Sequence, residues 1–245
     1  MMELKNMGES GLNLEPIGVI HSCFKEKFGI PRQPGLVEHS TATIELFPPF
    51  NREEMVRGLE GFSHIQVLFL FHRAVAEGWR PTVRPPRLGG RARVGVFACR
   101  SPHRPNHIGL SAVRLGAVRT TGGVCLDVSG VDFLDETPVL DIKPYVPYSD
   151  SIQDASDGFT GTEDVGGGEG GMIFFSAQAA AFCRNYEEKK SRPLHLLITE
   201  MLERDPRPRS QRERKTEFGM LLWDVNIRWR MEEGSVVVER IESVV

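Results

Sequence analysis

The chain has 245 residues, 40% of them hydrophobic and 26% charged, with a formal net charge of −3. That balance calls for a packed core and excludes a disordered protein, and no apolar run approaches the ~20 residues of a bilayer-spanning helix. Four scattered cysteines (Cys23, Cys99, Cys125, Cys183) without a CxxC pair predict reduced thiols, and "MMELKNMGESGLNLEPIG" lacks an apolar signal core, so a cytoplasmic protein is expected.

From Leu14 to Tyr148 the chain reads mostly as strands. "LEPIGVIHS", "TATIELF", "IQVLFLFH", "ARVGVFAC", "LSAVRLGAV", "VCLDVSGVDF" and "PVLDIKPY" are short, rich in Val, Ile, Leu and Phe, and bounded by Gly, Pro, Asn or Asp. "NREEMVRGL" is a short helical turn between them. Strands without long intervening helices argue for an all-β barrel or sandwich, not a βαβ sheet. The run "IQVLFLF" lacks alternation, which predicts a central strand buried on both sides.

Residues 154–171, "DASDGFTGTEDVGGGEGG", are acidic and Gly-rich and read as a flexible linker. Beyond it, Leu194, Leu197, Ile198, Met201 and Leu202 recur at helical spacing, with Pro193 near the first turn and "DPRP" as the stop. "LLWDVNIRWR" alternates, with Leu221, Trp223, Val225, Ile227 and Trp229 on one face, and "MEEGS" turns the chain into "VVVERI". A unit of about 75 residues is near the lower limit for independent folding, so it is expected to dock on the rest.

Charge is clustered. Nine arginines and no Asp, Glu or Lys lie between Arg80 and Arg119, whereas Asp127 to Glu169 holds eleven acids and one base, Lys143. A third tract, "RDPRPRSQRERK", has six bases and two acids. Such clusters make a local cationic surface for RNA or phosphate, or pair with the acidic tract inside the fold.

The loop "CRSPHRPNHIGLS" is far richer chemically than a hairpin turn needs. Cys99, His103 and His107 are spaced as helical metal ligands, but Pro102 and Pro105 oppose a helix and no further cluster completes a site. Ser101, His103 and Asp141 lack the G-x-S-x-G elbow of a hydrolase, and the glycines of "LGGRARVG" precede no helix that could make a phosphate loop. A proline-stiffened loop carrying Arg100, Arg104 and Asn106 suits a charged small ligand. In "DIKPYVPYSD", Asp141 and Lys143 share a strand face, either as a simple ion pair or as groups for a proton and an anion, with Tyr145 beside them.

Taken in order, "PIGVIHS", "GIPRQPGLV", "LEGFSHI", "RPPRLGG", "RVGVFACRSPHRPNHIGLS" and "TPVLDIKPY" resemble the TsaA-like/TrmO family, tRNA methyltransferases that use S-adenosyl-L-methionine. The likeness spans about residues 14–150, and "DPRP" with "FGMLLWDVNIRWR" resembles the C-terminal domain of bacterial members. The resemblance implies a mainly β protein. It has an N-terminal single-sheet β-barrel over 14–153, a non-Rossmann methyltransferase, then the 154–171 linker and a small α+β C-terminal domain over 172–245 that aids tRNA binding. It implies a homodimer acting on the tRNA anticodon stem-loop, without metal or membrane, that methylates N6 of N6-threonylcarbamoyladenosine at tRNA position 37.

By the same resemblance, Pro31, Arg32 and Gln33, then Phe71 and His72, Arg100 and Ser101, Leu110, and the loop Asp135, Glu136, Thr137 and Pro138 build the S-adenosyl-L-methionine pocket. The family usually carries Thr where this chain has Cys99, and Pro where it has His107; the tyrosine often found after "DPRP" is absent. Methyl transfer from a sulfonium is mainly a positioning task, but the urea-like N6 is a poor nucleophile whose proton must leave. Asp141 and Tyr145 are the catalytic candidates, and Arg84, Arg87, Arg104, Lys143, Arg207 and Arg209 the RNA-binding ones. A non-catalytic RNA-binding barrel and a small-metabolite methyltransferase are the competing readings.

Overall fold

The structure, a computed structural model, describes residues 13–85, 88, 92–156, 158, 171–207 and 216–244. In chain order the N-terminal part comprises β1 (Gly18–Ser22), β2 (Thr41–Leu46), α1 (Glu53–Val56), β3 (His64–Leu70), β4 (Thr82–Val83), β5 (Val94–Gly95), β6 (Ile108–Arg119), β7 (Cys125–Ser129), β8 (Thr137–Pro144) and α2 (Pro147–Asp150). Six of these strands close into a barrel in the order β1-β2-β7-β6-β3-β8, with β8 pairing back onto β1. Period-two alternation explains the closure: Ile20, Ile44, Ile65, Val67, Val113, Leu126 and Val139 all point inward and are buried, while polar neighbours face out.

Two expectations change here. β3 does alternate, with Ile65, Val67 and Phe69 inside and Gln66, Leu68 and Leu70 half-buried on the outer face. Its outer face carries Leu68 and Leu70 as well, so the run looks uniformly buried in sequence. "ARVGVFAC" supplies no barrel strand. It gives β5, paired only with β4, and then a 3₁₀ turn over Val96–Ala98. The facing stretch carries Pro81 and Pro85, which lack N–H donors, so the ladder stops after two residue pairs.

The C-terminal part holds β9 (Ile173–Phe175), α3 (Ala177–Lys190), α4 (Leu194–Glu203), β10 (Glu217–Leu222), β11 (Val225–Glu232) and β12 (Ser235–Ser243). Its sheet runs β10-β11-β12-β9, with β9 parallel to β12. The α4 stripe is buried as its spacing predicts. The sequence reading has no counterpart to α3, whose amide Ala179 N–H is capped by Ser176 Oγ at 3.0 Å. "LLWDVNIRWR" is two strands rather than one, because the chain reverses at Trp223–Asp224, with Trp223 at φ 48°.

That turn docks this unit on the barrel. Trp223 N–H donates to the Cys23 carbonyl (2.8 Å), and Leu221 N–H donates to Glu26 Oε1 (3.0 Å). Phe24 bridges both Leu134 and Leu222, so one continuous apolar cluster runs through both parts. Among the described residues no helix is long and apolar enough to cross a membrane. Most of the 154–171 stretch lies outside the described residues.

Candidate active site at the barrel mouth

A cavity of about 920 Å³ opens at one end of the barrel. Its wall is built from the segment after β1 (30–34), the turn after β3 (71–74), the loop that follows β5 (97–104), the start of β6 and the stretch between β7 and β8. Gly109, in β6, lets the wall close. A Cβ there would lie 2.3 Å from Phe69 Cζ, so only glycine lets the Phe69 ring lie against the strand. Phe69 in turn meets Phe71 and Phe133 edge-on, each with centroids 5.0 Å apart.

The proline-rich loop is held by its own side chains. Arg104 Nη1 donates to the carbonyls of Cys99 (3.1 Å) and Ser101 (3.4 Å), and His107 Nδ1, on a residue at φ 51°, bonds the Pro102 carbonyl (2.8 Å). Cys99 Sγ donates to the Val96 carbonyl. Cys99, His103 and His107 thus have separate tasks, and among the described residues no three His, Cys, Asp or Glu groups are arranged to hold a metal. Arg100 reaches across to Gln33, Nη1 donating to Oε1 at 2.5 Å.

Several polar groups of the wall are buried without full partners. The Thr137 hydroxyl donates to the Leu134 carbonyl (2.6 Å) and lies 3.5 Å from His72 Nδ1, while His72 Nε2 has no partner. Burial, and then the Arg73 charge, lower the His72 pKa, which keeps the ring neutral. His103 Nδ1 is likewise buried and unpartnered. Asp132 accepts a hydrogen bond from Ser111 Oγ (2.7 Å), and burial pushes its carboxyl up to about 6 against the pull of Ser111, its own amide and Arg100. Glu77 is the opposite case. Exposed and bonded to Lys27 Nζ (3.1 Å), its carboxyl is held below the usual range.

Of the residues expected to bind the methyl donor, Pro31, Arg32, Gln33, Phe71, His72, Arg100, Leu110 and Thr137 line this cavity. Ser101, Asp135, Glu136 and Pro138 are adjacent but not in its wall. Ser101 Oγ accepts from His103 N–H, Asp135 is bonded to Lys25 (2.6 Å) and to Ser22 N–H (2.8 Å), and Pro138 pairs with Val19 in the barrel. Glu136 is exposed, 3.8 Å from Arg73.

Asp141 and Tyr145 are not brought into the wall either. Asp141 sits on the outer barrel face in register with Leu68, ion-paired to Lys143 at 3.3 Å, and Tyr145 lies edge-on to His64. Arg84 is exposed, but Arg207 is buried against Asp205, leaving little of its fork for a phosphate. Arg87 and Arg209 lie outside the described residues. Sequence reasoning missed Ser111 and Asp132. The available signal was an acid between Val131 and Phe133, both completely buried.

Comparison with known proteins follows the same division of the chain. Residues 19–151 match the tRNA-methyltransferase O N-terminal domain, and residues 172–244 match the TrmO C-terminal domain. The tRNA (adenine(37)-N6)-methyltransferase of Escherichia coli K12 is 43% identical over 242 residues, 95% of this chain and 99% of its own. That of Eikenella corrodens is 41% identical over 183 residues, 75% of this chain and 98% of its own. A Pseudomonas aeruginosa protein whose name places it with the S-adenosylmethionine-dependent methyltransferases is 45% identical over 226 residues, 92% of this chain and 95% of its own. The crystal structure of TrmO from Pseudomonas aeruginosa superposes with a TM-score of 0.77 at 38% identity, covering 94% of this chain and 98% of that one. With both models matched along one chain and relatives of this identity aligned end to end, the chain belongs to the tRNA-methyltransferase O family.

Proposed function

We propose that this protein transfers a methyl group from S-adenosyl-L-methionine to N6 of N6-threonylcarbamoyladenosine at tRNA position 37. The observation that carries the reading is the barrel-mouth cavity of a TrmO-family chain, a space of about 920 Å³ whose wall includes the Arg100 guanidinium and the Phe71 and Phe97 rings. That volume falls within the ~300–1,000 Å³ of small-molecule sites, and the donor set fits an amino-acid nucleoside. Arg100 suits the methionyl carboxylate, and Phe71 and Phe97 offer faces favourable to a cation. His72, with Nδ1 turned to Thr137, adds a neutral ring to the same wall. When bound, the donor supplies a methyl carbon already activated by positive sulfur, so this chain's residues have to orient, exclude water and take up a proton.

Several parts of the reading concern the assembly. Phe97 and Leu110, exposed apolar residues of the cavity wall, support a homodimer in which a second copy covers the mouth. The exposed Arg84 and Lys143 are read as contacts to the anticodon stem-loop, with Arg87 and Arg209 of the same basic tracts. The barrel over 14–153 does the chemistry and the unit over 172–245 helps hold tRNA, in the cytoplasm where tRNA is matured.

The test is methyl transfer from labelled S-adenosyl-L-methionine to two tRNA preparations, one carrying N6-threonylcarbamoyladenosine and one lacking it. Label confined to the modified nucleoside is the expected result. Label on neither, despite measurable donor binding, would move the search to another acceptor.

A further inference from the structure

Among the described residues, three carboxylates line the cavity: Glu77, Asp132 and Asp150. Glu77 is exposed and committed to Lys27, with His103 3.7 Å away on its other oxygen. Asp150 is exposed, and its Oδ2 accepts from the amide of Val146 in its own turn (2.7 Å). Asp132 differs from both. Ser111, on the inward face of β6 and 2% exposed, gives its hydroxyl proton to Oδ1, and among the described residues no cation is ion-paired to the carboxylate. Asp132 lines the cavity, and no described side chain donates to its second oxygen.

We propose, on the reading of this cavity as the methyl-transfer site, that Asp132 is the catalytic proton acceptor for N6 and that Ser111 is its positioning residue. In the step, the N6 lone pair forms a bond to the methyl carbon while the carbon–sulfur bond breaks and its electron pair returns to sulfur. The N6–H proton passes to the free oxygen of Asp132 and from there to water, which restores the carboxylate. A carboxylate with a guanidinium salt bridge would be a weak base here, and one in open water would be protonated only in acid. Asp132 has neither fault: it is desolvated, fixed through one oxygen and bare at the other.

Lys27, Arg32, Arg73, Arg104, Glu77 and Asp150 line the same cavity, and among the described residues Arg100, in the loop over the mouth, is the charged side chain that acts on Asp132. The turn after β3 presents His72, which burial keeps neutral, and Asp135, three residues along, is engaged with Lys25. The ionised fraction of Asp132 therefore changes near pH 6.

The experiment compares the wild type with Asp132→Asn and Ser111→Ala. Donor affinity is read by calorimetry, and single-turnover transfer to tRNA carrying the modified adenosine is followed across pH. The carboxyl carbon of Asp132 is titrated by NMR in donor-free protein. The wild-type rate should rise through about pH 6 and level off, and Asp132→Asn should bind the donor within about twofold while losing ~10²–10⁴-fold in rate and the inflection with it. Ser111→Ala should move both the inflection and the carboxyl titration to higher pH. Asp132→Asn transferring at the wild-type rate, or losing donor affinity while its rate at saturation is intact, overturns the assignment; the second result would make Asp132 a ligand for the methionyl ammonium. A wild type that neither binds the donor nor transfers a methyl group overturns the reading of the site itself, and the assignment with it.

Discussion

Asp205, just past the end of α4, and Asp132, at the barrel mouth, both surrender most of their hydration, and the fold compensates them differently. Asp205 receives Arg207 through Nε (2.6 Å) and Nη2 (2.9 Å), and the same guanidinium lies 5.9 Å from the centre of the Phe218 ring. That is a closed ion pair inside the packing of the C-terminal unit, with both side chains at 10% exposure or less. Asp132 receives the hydroxyl of Ser111 and its own amide, with Arg100 acting on it only as a nearby charge. A neutral donor cannot offset the desolvation of an anion as a bidentate cation does. The contrast separates a charge that organises a chain end from one held in readiness at a cavity, where unpartnered His72 and His103 nitrogens sit as well.

Removing one partner of the closed pair should have the largest effect on stability. Arg207→Met takes the two-pronged guanidinium from the buried Asp205 and should cost about 3–5 kcal/mol in denaturant unfolding, with part regained by adding Asp205→Asn. A loss below about 1 kcal/mol would mean that the pair behaves like a solvated surface bridge, and the contrast with Asp132 would disappear.

Asp132→Asn should do the reverse. Because the folded carboxyl titrates at about 6 instead of 3.8, the folded chain holds more protons than the unfolded chain between those values. Stability therefore falls as pH rises through that window, by up to about 3 kcal/mol once Asp132 is ionised. The Asn variant should be about 1–3 kcal/mol more stable than wild type at pH 8, with the two curves converging below pH 4. A variant less stable at pH 8 would show that the ionised carboxylate has a stabilising partner, and that its burial is structural.

What the sequence disclosed about these regions follows from how each announces itself. Barrel strands were legible because inward Val and Ile alternate with polar residues, and α4 because five apolar residues fall at helical spacing. The helix α3 buries Ala179, Cys183 and Tyr186, of which only the last is large, so its stripe is faint. The β10–β11 reversal was hidden because Trp223 and Asp224 carry no glycine and continue the alternation, although Trp223 takes a positive φ. It is held there by the hydrogen bond its N–H donates to the Cys23 carbonyl and by Arg192, 5.1 Å over the indole, which are tertiary contacts that no local pattern encodes. Asp132 was read as part of a continuous strand through "VCLDVSGVDF". The strand ends at Ser129 and Gly130 turns at φ 69°, so Asp132 leaves the barrel ladder and lines the cavity. The motif loops named most of the wall, because a cluster of Arg, His and Pro is visible without knowing the fold.

A milder test of the closed side concerns Tyr186. Its hydroxyl donates to Asp224 Oδ1 at 2.5 Å, and burial, with the bond to Asp224 next, pushes its pKa up to about 12. Tyr186→Phe removes that bond and a bond from Arg192, but Lys190 and solvent still reach Asp224. The expected loss is about 1–2 kcal/mol in thermal or denaturant unfolding, without change in donor affinity at the distant cavity. A change in donor affinity would mean that the two units are coupled through the Trp223 turn rather than merely packed together.

The smallest structural effect is expected outside both buried sites, at Lys143. Its ion pair with Asp141 joins side chains that are 61% and 49% exposed, so Lys143→Gln should change stability by less than about 1 kcal/mol. Its consequence should appear only with RNA present. If the outer face of β8 meets the anticodon stem-loop, loss of one phosphate contact should weaken tRNA binding and reduce the slope of log affinity against log salt by about one. The single-turnover rate at saturating tRNA should stay unchanged, because the ammonium is not in the cavity wall. An unaltered salt slope would place the tRNA on another face of the barrel, while a fall in the saturated rate would bring Lys143 and Asp141 back towards the chemistry.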